Sequence, residues 1–347
     1  MDAQNIVTLS VDGTDYRGWK TVSITAGIEQ QARTFTLGVS WRWPGKDMDV
    51  EVKQGAHCEV RIGADLVLTG HVYSTPVSYD ANSVTRSIAG RSLTADLVDC
   101  SVTGSVTQWN KQSVQDIVQA LAEPYGIKVL SEVTQTAKLE SHHSTPGETV
   151  FESIDKLLTL SRLFSTDDGE GHLVIAAPGS RGRAVDRLEL GKNILTGSAQ
   201  LDYSSVFSEY RVTGQRKRED KEPASAAAQV EAFSFDDIRP RKRLKHIHEQ
   251  NQLTQKLAQS RADWERASRK GKALTRTYKI QGWRQSNGDL WRENMIVRIV
   301  DPLIGEDQDM LISQIQYNLG ESGTTADLTV APIEAFLPEP KGLSKAT

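Results

Sequence analysis

Short alternating stretches fill the first ninety residues and limit what this chain can fold into. VTLSVDGTDYRGW, VSITAGI, TFTLGVSWRW, HCEVRIGADLVLTGHVYS and SVTRSIAGRS are each partly period-two in apolar and polar residues, and each is bounded by Gly, Pro, Asp or Asn. Successive side chains of a strand point to opposite faces, so this alternation marks strands with one buried side. Asp12-Gly13 lies between two such stretches and suits a tight hairpin turn, because glycine accepts a positive φ. Short strands repeated at this density predict a small barrel or sandwich. Trp41, Trp43 and Pro44 sit at a strand end, where they read as an aromatic plug over a barrel mouth or as a partner contact.

The periodicity then changes. In NKQSVQDIVQALAEPYGIKVL, residues Val114, Ile117, Val118, Leu121 and Tyr125 share one helical face, with Ser113 or Asn110 as the cap and Gly126 as the stop. IKVL follows as a strand. PGETVFESIDKLLTLSRLF repeats the device with Val150, Ile154, Leu157, Leu158 and Ser161 on one stripe. FSTDDGEGHLVIAA reads as a hairpin tipped by Gly169 and Gly171. Residues 105–178 therefore form a compact αβαββ unit. Strands resume with QLDYSSVFSEYRVTGQRK. KEPASAAAQ reads as a solvated loop and RPRKRLKHIHEQ as a basic extended piece. NQLTQKLAQSRADWERASRKGKA is one long helix with Leu253, Leu257, Arg261, Trp264 and Ala267 or Ser268 near one face. LTRTYKIQGW, MIVRIVD, DMLISQIQYNLG and TADLTVAPI are further strands, and LPEPKGLSKAT a mobile tail.

A length of 347 residues accommodates two or three domains. Net charge is −4, which does not mark a nucleic-acid binder. The charge is nonetheless uneven: residues 211–279 hold 18 Lys/Arg against 9 Asp/Glu, so the remainder carries about thirteen negative charges. Such asymmetry fits assembly as well as polyanion binding. Two cysteines, Cys58 and Cys100, do not make a disulfide framework and read as reduced, in a cytosolic compartment. No signal peptide or membrane-spanning run is evident.

No motif assembles a reaction centre. AGRSLTAD has one glycine and no following Lys-Ser/Thr, so Gly90 reads as the point where strand becomes helix. Cys100 has no His near it in sequence and reads as a small buried residue. Adjacent His142 and His143 point to opposite strand faces. His246 and His248 share a face but lack a third ligand and have Arg241, Lys242, Arg243 and Lys245 as neighbours. Asp167, Asp168 and Glu170 miss the calcium-loop spacing and read as a turn. Glu148, Glu152 and Asp155 fall at helical spacing and read as a solvated face with acids in the first turn, not as a glycosidase pair. The chain is expected to have no catalytic residue, no metal and no cofactor.

GRSLTADLVDCS resembles the junction motif of the Mu-like phage baseplate hub family, the tail protein P group. That family is related to contractile-tail hub proteins and to the N-terminal part of VgrG. GHVYSTPVSYD is similar to the family's last barrel strands, PGETVFESIDKLLTLSRLF to the helix of its inserted α/β domain, and YRVTGQ to the strand leading into its second barrel. GWRQSNGDLWRENMIVRIVD and MLISQIQYNLGESGTTADLTVAPIEAF follow the family's Gly-Trp, Leu-Trp, Asn and Leu-Ile landmarks in order. The resemblance covers roughly residues 5–336. Arg292-Glu293-Asn294 stands where the family pattern often has Pro after the second tryptophan.

The resemblance implies an α+β, mostly β chain with two tail-tube-like barrels and an inserted α/β domain. The expected divisions are a first barrel at 1–98, the insertion at 99–180, a second barrel at 181–336 with a long helix near 249–272, and a flexible tail at 337–347. It implies three copies in a pseudo-sixfold ring, joining tail tube to central spike and passing DNA during ejection. Implied partners are the spike, a tube or distal tail protein, baseplate wedge proteins and a tape-measure protein, in a virion assembled in the host cytoplasm. By this reading Gly90, Arg91, Asp96 and Asp99 form a structural joint, and Trp41, Trp43, Trp283 and Trp291 are candidate interface residues. The alternatives are a tail-associated peptidoglycan hydrolase centred on 105–178 and the hub portion of a type VI secretion-like or tailocin spike.

Overall fold

The computed structural model describes residues 3–40, 52–79, 84–104, 108–134, 138–199, 201–216, 229–236 and 241–340. The predicted strands of the first ninety residues form. Asp12 and Gly13 both take positive φ, 47° and 80°, and turn Val7–Val11 back onto Thr14–Tyr16. Alternation does the rest: in His57–Ile62 every second residue is buried, which places Cys58, Val60 and Ile62 in the core.

The two expected tail-tube-like barrels are not seen as closed barrels. Among the described residues no sheet closes on itself. Strands from both ends of the chain instead form one fourteen-stranded sheet. Its path runs from Ile194–Ala199 through Arg276–Gln281, Gly323–Ala331 and Glu306–Gly320, then crosses to Thr21–Gly27 and Thr34–Ser40 and ends at Thr14–Tyr16. The crossing is an antiparallel ladder from Gln314 opposite Gly27 to Leu319 opposite Val22. The two β regions therefore share one core, with Leu9, Ile24, Leu37 and Leu68 continuous with Tyr278, Trp283, Ile315 and Leu328. Each such side chain contributes roughly 1.5–3 kcal/mol on burial.

Two smaller units project from this sheet. In the middle of the chain, helices Val114–Ala122 and Val150–Leu160 pack with a three-stranded sheet of Val129–Ser131, Leu173–Ala176 and Phe164–Asp167. Ser113 caps the first helix. Thr149 and Glu152 close a reciprocal capping box on the second. The polar stretch between the helices also contributes a strand, Lys138–His143, paired with Gln108–Ser113. Further on, Gln229–Phe235, Glu209–Gln215 and Leu244–Gln252 form a sheet against helix Gln255–Ala273.

That long helix buries Ala258, Ala262, Glu265, Ser268 and Gly271; of the predicted face only Ser268 and Leu253, just ahead of the helix, are buried. A stripe of small residues lets it lie close to its neighbours, while Leu257, Arg261 and Trp264 are only partly covered. The predicted tail also starts later than expected. Leu337 accepts a hydrogen bond from the Trp264 indole through its carbonyl, and Glu339 pairs with Arg261 at 2.9 Å. KEPASAAAQ up to Ala228, and the tail beyond residue 340, lie outside the described residues.

Candidate functional site: a buried charged junction

The hairpin of the middle unit drives its tip against the large sheet. A Cβ at Gly169 would lie 2.2 Å from the Leu66 carbonyl oxygen, so only glycine permits this approach. The Thr69 hydroxyl donates to the Gly169 carbonyl at 2.9 Å. The Ser165 hydroxyl and the Thr166 carbonyl both meet the Gln31 side-chain amide.

Beside this contact lies a cluster of charges drawn from distant parts of the chain. Arg33 donates from Nε to Asp167 Oδ1 at 2.9 Å, from Nη1 to the Val67 carbonyl at 3.1 Å and from Nη2 to Glu293 Oε1 at 2.7 Å. Arg181 donates to the same Glu293 oxygen and, at 2.9 Å, to Glu132 Oε1. Asp167 Oδ2 also accepts from the Arg33 backbone amide at 3.1 Å, the Ser92 hydroxyl at 2.5 Å and the Thr94 hydroxyl at 3.2 Å. Asn294, with φ at 64°, extends the clamp by accepting from the Gly179 amide and donating to the Ala177 carbonyl. Residues from the first β region, the middle unit and the last third thus meet at one point.

Burial sets the electrostatics. It disfavours charge on Glu293, but Arg33 and Arg181 overcome it and hold the carboxyl down to about 2. Burial likewise works against the Arg33 guanidinium, and Glu293 and Asp167 outweigh it, raising its pKa beyond the ordinary arginine value. Asp167 goes the other way. Burial is its largest influence and lifts it above the usual aspartate range despite Arg33 and Ser92. The difference has a geometric cause: Glu293 bridges two guanidiniums, while Asp167 is paired with one.

The predicted joint lies at the edge of this cluster. Arg91 pairs with Asp99 at 2.6 Å, whereas the Asp96 carboxylate accepts a long 3.4 Å hydrogen bond from Tyr73. Gly90 lies inside strand Val84–Ser92 and is not the strand-to-helix turn. It is needed because a Cβ there would meet the His71 carbonyl oxygen at 2.4 Å and the Phe35 ring at 2.5 Å. Trp283 and Trp291 are core residues, 0% and 2% exposed, and not surface contacts. The Trp283 indole donates to the Thr325 carbonyl at 2.9 Å, and Tyr317 donates to the Trp291 carbonyl. Trp41 and Trp43 lie outside the described residues.

The other candidates have structural partners. Glu148 is buried and paired with Lys156, which corrects its placement on a solvated face, and Glu152 is held in the capping box. His142 stacks on Trp109 and meets the Ser153 hydroxyl at 3.0 Å. His246 and His248 both reach the Thr213 hydroxyl, at 2.9 and 3.2 Å. Asp168 organises its hairpin by accepting from the Glu170 and His172 amides. Among the described residues no group of three or more His, Cys, Asp or Glu side chains is arranged to hold a metal. The junction links residues of the first β region, the middle unit and the last third by hydrogen bonds and ion pairs.

Comparison with known proteins gives a consistent set of relatives. Three family models match: Mu phage baseplate assembly protein GpP-like, N-terminal, over residues 6–92; baseplate hub protein gp44-like, second domain, over 94–177; and Mu phage baseplate assembly protein GpP, fourth domain, over 254–339. The baseplate hub protein gp44 of Escherichia phage Mu is 32% identical over 345 residues, covering 96% of this chain and 89% of that protein. The 43 kDa tail protein of prophage MuSo2 from Shewanella oneidensis superposes with a TM-score of 0.86 at 30% identity, covering 96% of this chain and all of the other. The E. coli c3393 protein, a type VI secretion component, shares the fold at a TM-score of 0.55 and 10% identity, over 96% of this chain and 79% of its own.

Proposed function

We propose, on the premise that this chain belongs to the Mu-like phage baseplate hub family, that it is the central joint between the tail tube and the spike of a contractile tail. Membership follows from the full-length similarity to the Mu hub protein. The chain is a structural component of the phage-tail baseplate, and its relatives are named as hub and tail proteins rather than enzymes. Its finer role is our reading. Three copies surround the tail axis, each contributing two β units, so that a sixfold tube meets a threefold spike. DNA passes through the central opening during ejection. The spike, a tube or distal tail protein, wedge proteins and a tape-measure protein are the neighbours, and assembly takes place in the host cytoplasm. The same reading keeps residues 1–98, 99–180 and 181–336 as functional divisions.

The observation that carries this reading is the ladder between residues 22–27 and 314–319. It pairs the two β regions directly, which supports a ring element that bears load, and the Arg33 contacts tie the middle unit to the same sheet. Light scattering after size exclusion, on the chain alone and with its spike partner, tests it. A three-copy mass in either sample is expected; a monomer in both removes the ring.

A further inference from the structure

The small sheet of the last third has two unequal faces. Val212, Val230 and Ala232 are buried beneath the Gln255–Ala273 helix. The opposite face stays open among the described residues. There the register sets Phe235, Glu209 and Leu244 in one cross-strand row and Phe233, Arg211 and His246 in the next. Phe235 is 67% exposed, and its ring stacks on that of Phe233 with centroids 6.2 Å apart. Arg211 lies 5.8 Å from the Phe233 ring and pairs with Glu231, so the patch is ordered without a partner.

Strand addition along the edge beside these rings is blocked. Gln255 and Gln259 of the helix donate their side-chain amides to the Glu231 and Phe233 carbonyls at 2.8 and 2.9 Å. A partner must therefore use the face. Three strands about 4.8 Å apart and about six residues long offer on the order of 300 Å². A stable contact needs roughly 800 Å² per partner, so the aromatic pair is the hot spot of a wider interface.

Charge identifies what covers it. Exposed Arg241 and Lys242 lead into the open edge strand, within the strongly basic segment 211–279. The middle unit, residues 94–177, holds 12 Asp/Glu against 5 Lys/Arg, with Glu123 and Asp155 exposed at its helices. We infer that the Phe233–Phe235 face docks on the acidic helical surface of the middle unit of a second copy of this chain. This rests on the multi-copy reading above and names the surfaces it uses. The two surfaces differ, so the contact is head-to-tail, which excludes a twofold dimer and builds a ring where the rotation closes.

Sedimentation equilibrium of the full chain up to high micromolar concentration tests the inference. Wild type is expected to self-associate. F233S/F235S should weaken association about ten-fold or more with an unchanged melting curve, since both rings are surface groups. R241E/K242E and E123K/D155K should each weaken it, and their combination in one chain should restore it. Association unaffected by any of these variants overturns the inference and leaves the ring reading standing. A wild type that stays monomeric alone also overturns it, and a three-copy mass with the spike would then still support the ring.

Discussion

Replacing Arg33 with Ala would remove the only guanidinium paired with Asp167 among the described contacts and leave Glu293 with Arg181 alone. Breaking a buried pair in this way costs about 3–5 kcal/mol, a large part of a typical stability of about 5–15 kcal/mol. Urea unfolding should show that loss, and Arg33→Lys should recover part of it because an ammonium keeps the charge but not the three-way fork. Arg17→Ala, at an exposed pair with Asp15, should cost less than about 1 kcal/mol. Glu293 predicts the pH dependence. Its folded pKa lies below its unfolded one, so its stabilisation is present above about pH 4.5 and is lost as pH falls towards 2. Linkage puts this at roughly 3 kcal/mol. Asp167, raised in the folded state, works with the opposite sign and offsets part of the loss. The stability gap between wild type and Glu293→Gln should therefore narrow between pH 5 and pH 3; a gap independent of pH would show that Glu293 is not charged in the fold. Burial, then the charge of Glu59, pushes the Cys58 thiol up to about 12. Iodoacetamide at pH 8 should accordingly spare Cys58 in the native chain, with mass spectrometry placing the label on the partly exposed Cys100. None of the junction was legible as such in the sequence. Arg33, Asp167 and Glu293 are separated by up to 260 residues, and each looks like an ordinary surface charge in its own window. The one local departure nearby was Arg292, which begins Arg292-Glu293-Asn294 where the family pattern often has proline after Trp291.

Elements were far more legible, because local physics makes them. The stripes at Val114–Leu121 and Val150–Leu158 became buried helix faces, and the Asp12-Gly13 turn formed where its φ demand placed it. Thr149→Ala should lower the melting temperature of the chain by removing one side of a capping box, at a cost of about 1 kcal/mol. An unchanged melt would mean that tertiary packing alone holds that helix end. The long helix was misread at Leu257 and Trp264 because the sequence rule ranks Leu and Trp as inside. Close packing favoured Ala258, Ala262 and Gly271 instead, a choice made by the neighbouring surface and invisible within the helix itself.

At the scale of the molecule, alternation announced strands but not their partners. Nothing in VSITAGI indicates that it pairs with a segment almost three hundred residues away, so two separate barrels were expected where one continuous sheet exists. That ladder also governs how the chain is made. Strand Thr21–Gly27 leaves the ribosome early, finds Thr34–Ser40 on one side, and must keep its other edge unpaired until residues 314–319 have been synthesised. At about 5–20 residues per second the wait lasts tens of seconds, with an aggregation-prone edge exposed throughout. A chain terminated before residue 314 would keep that edge without its partner, and the expected outcome is that such a fragment pellets on expression while the full chain stays in solution.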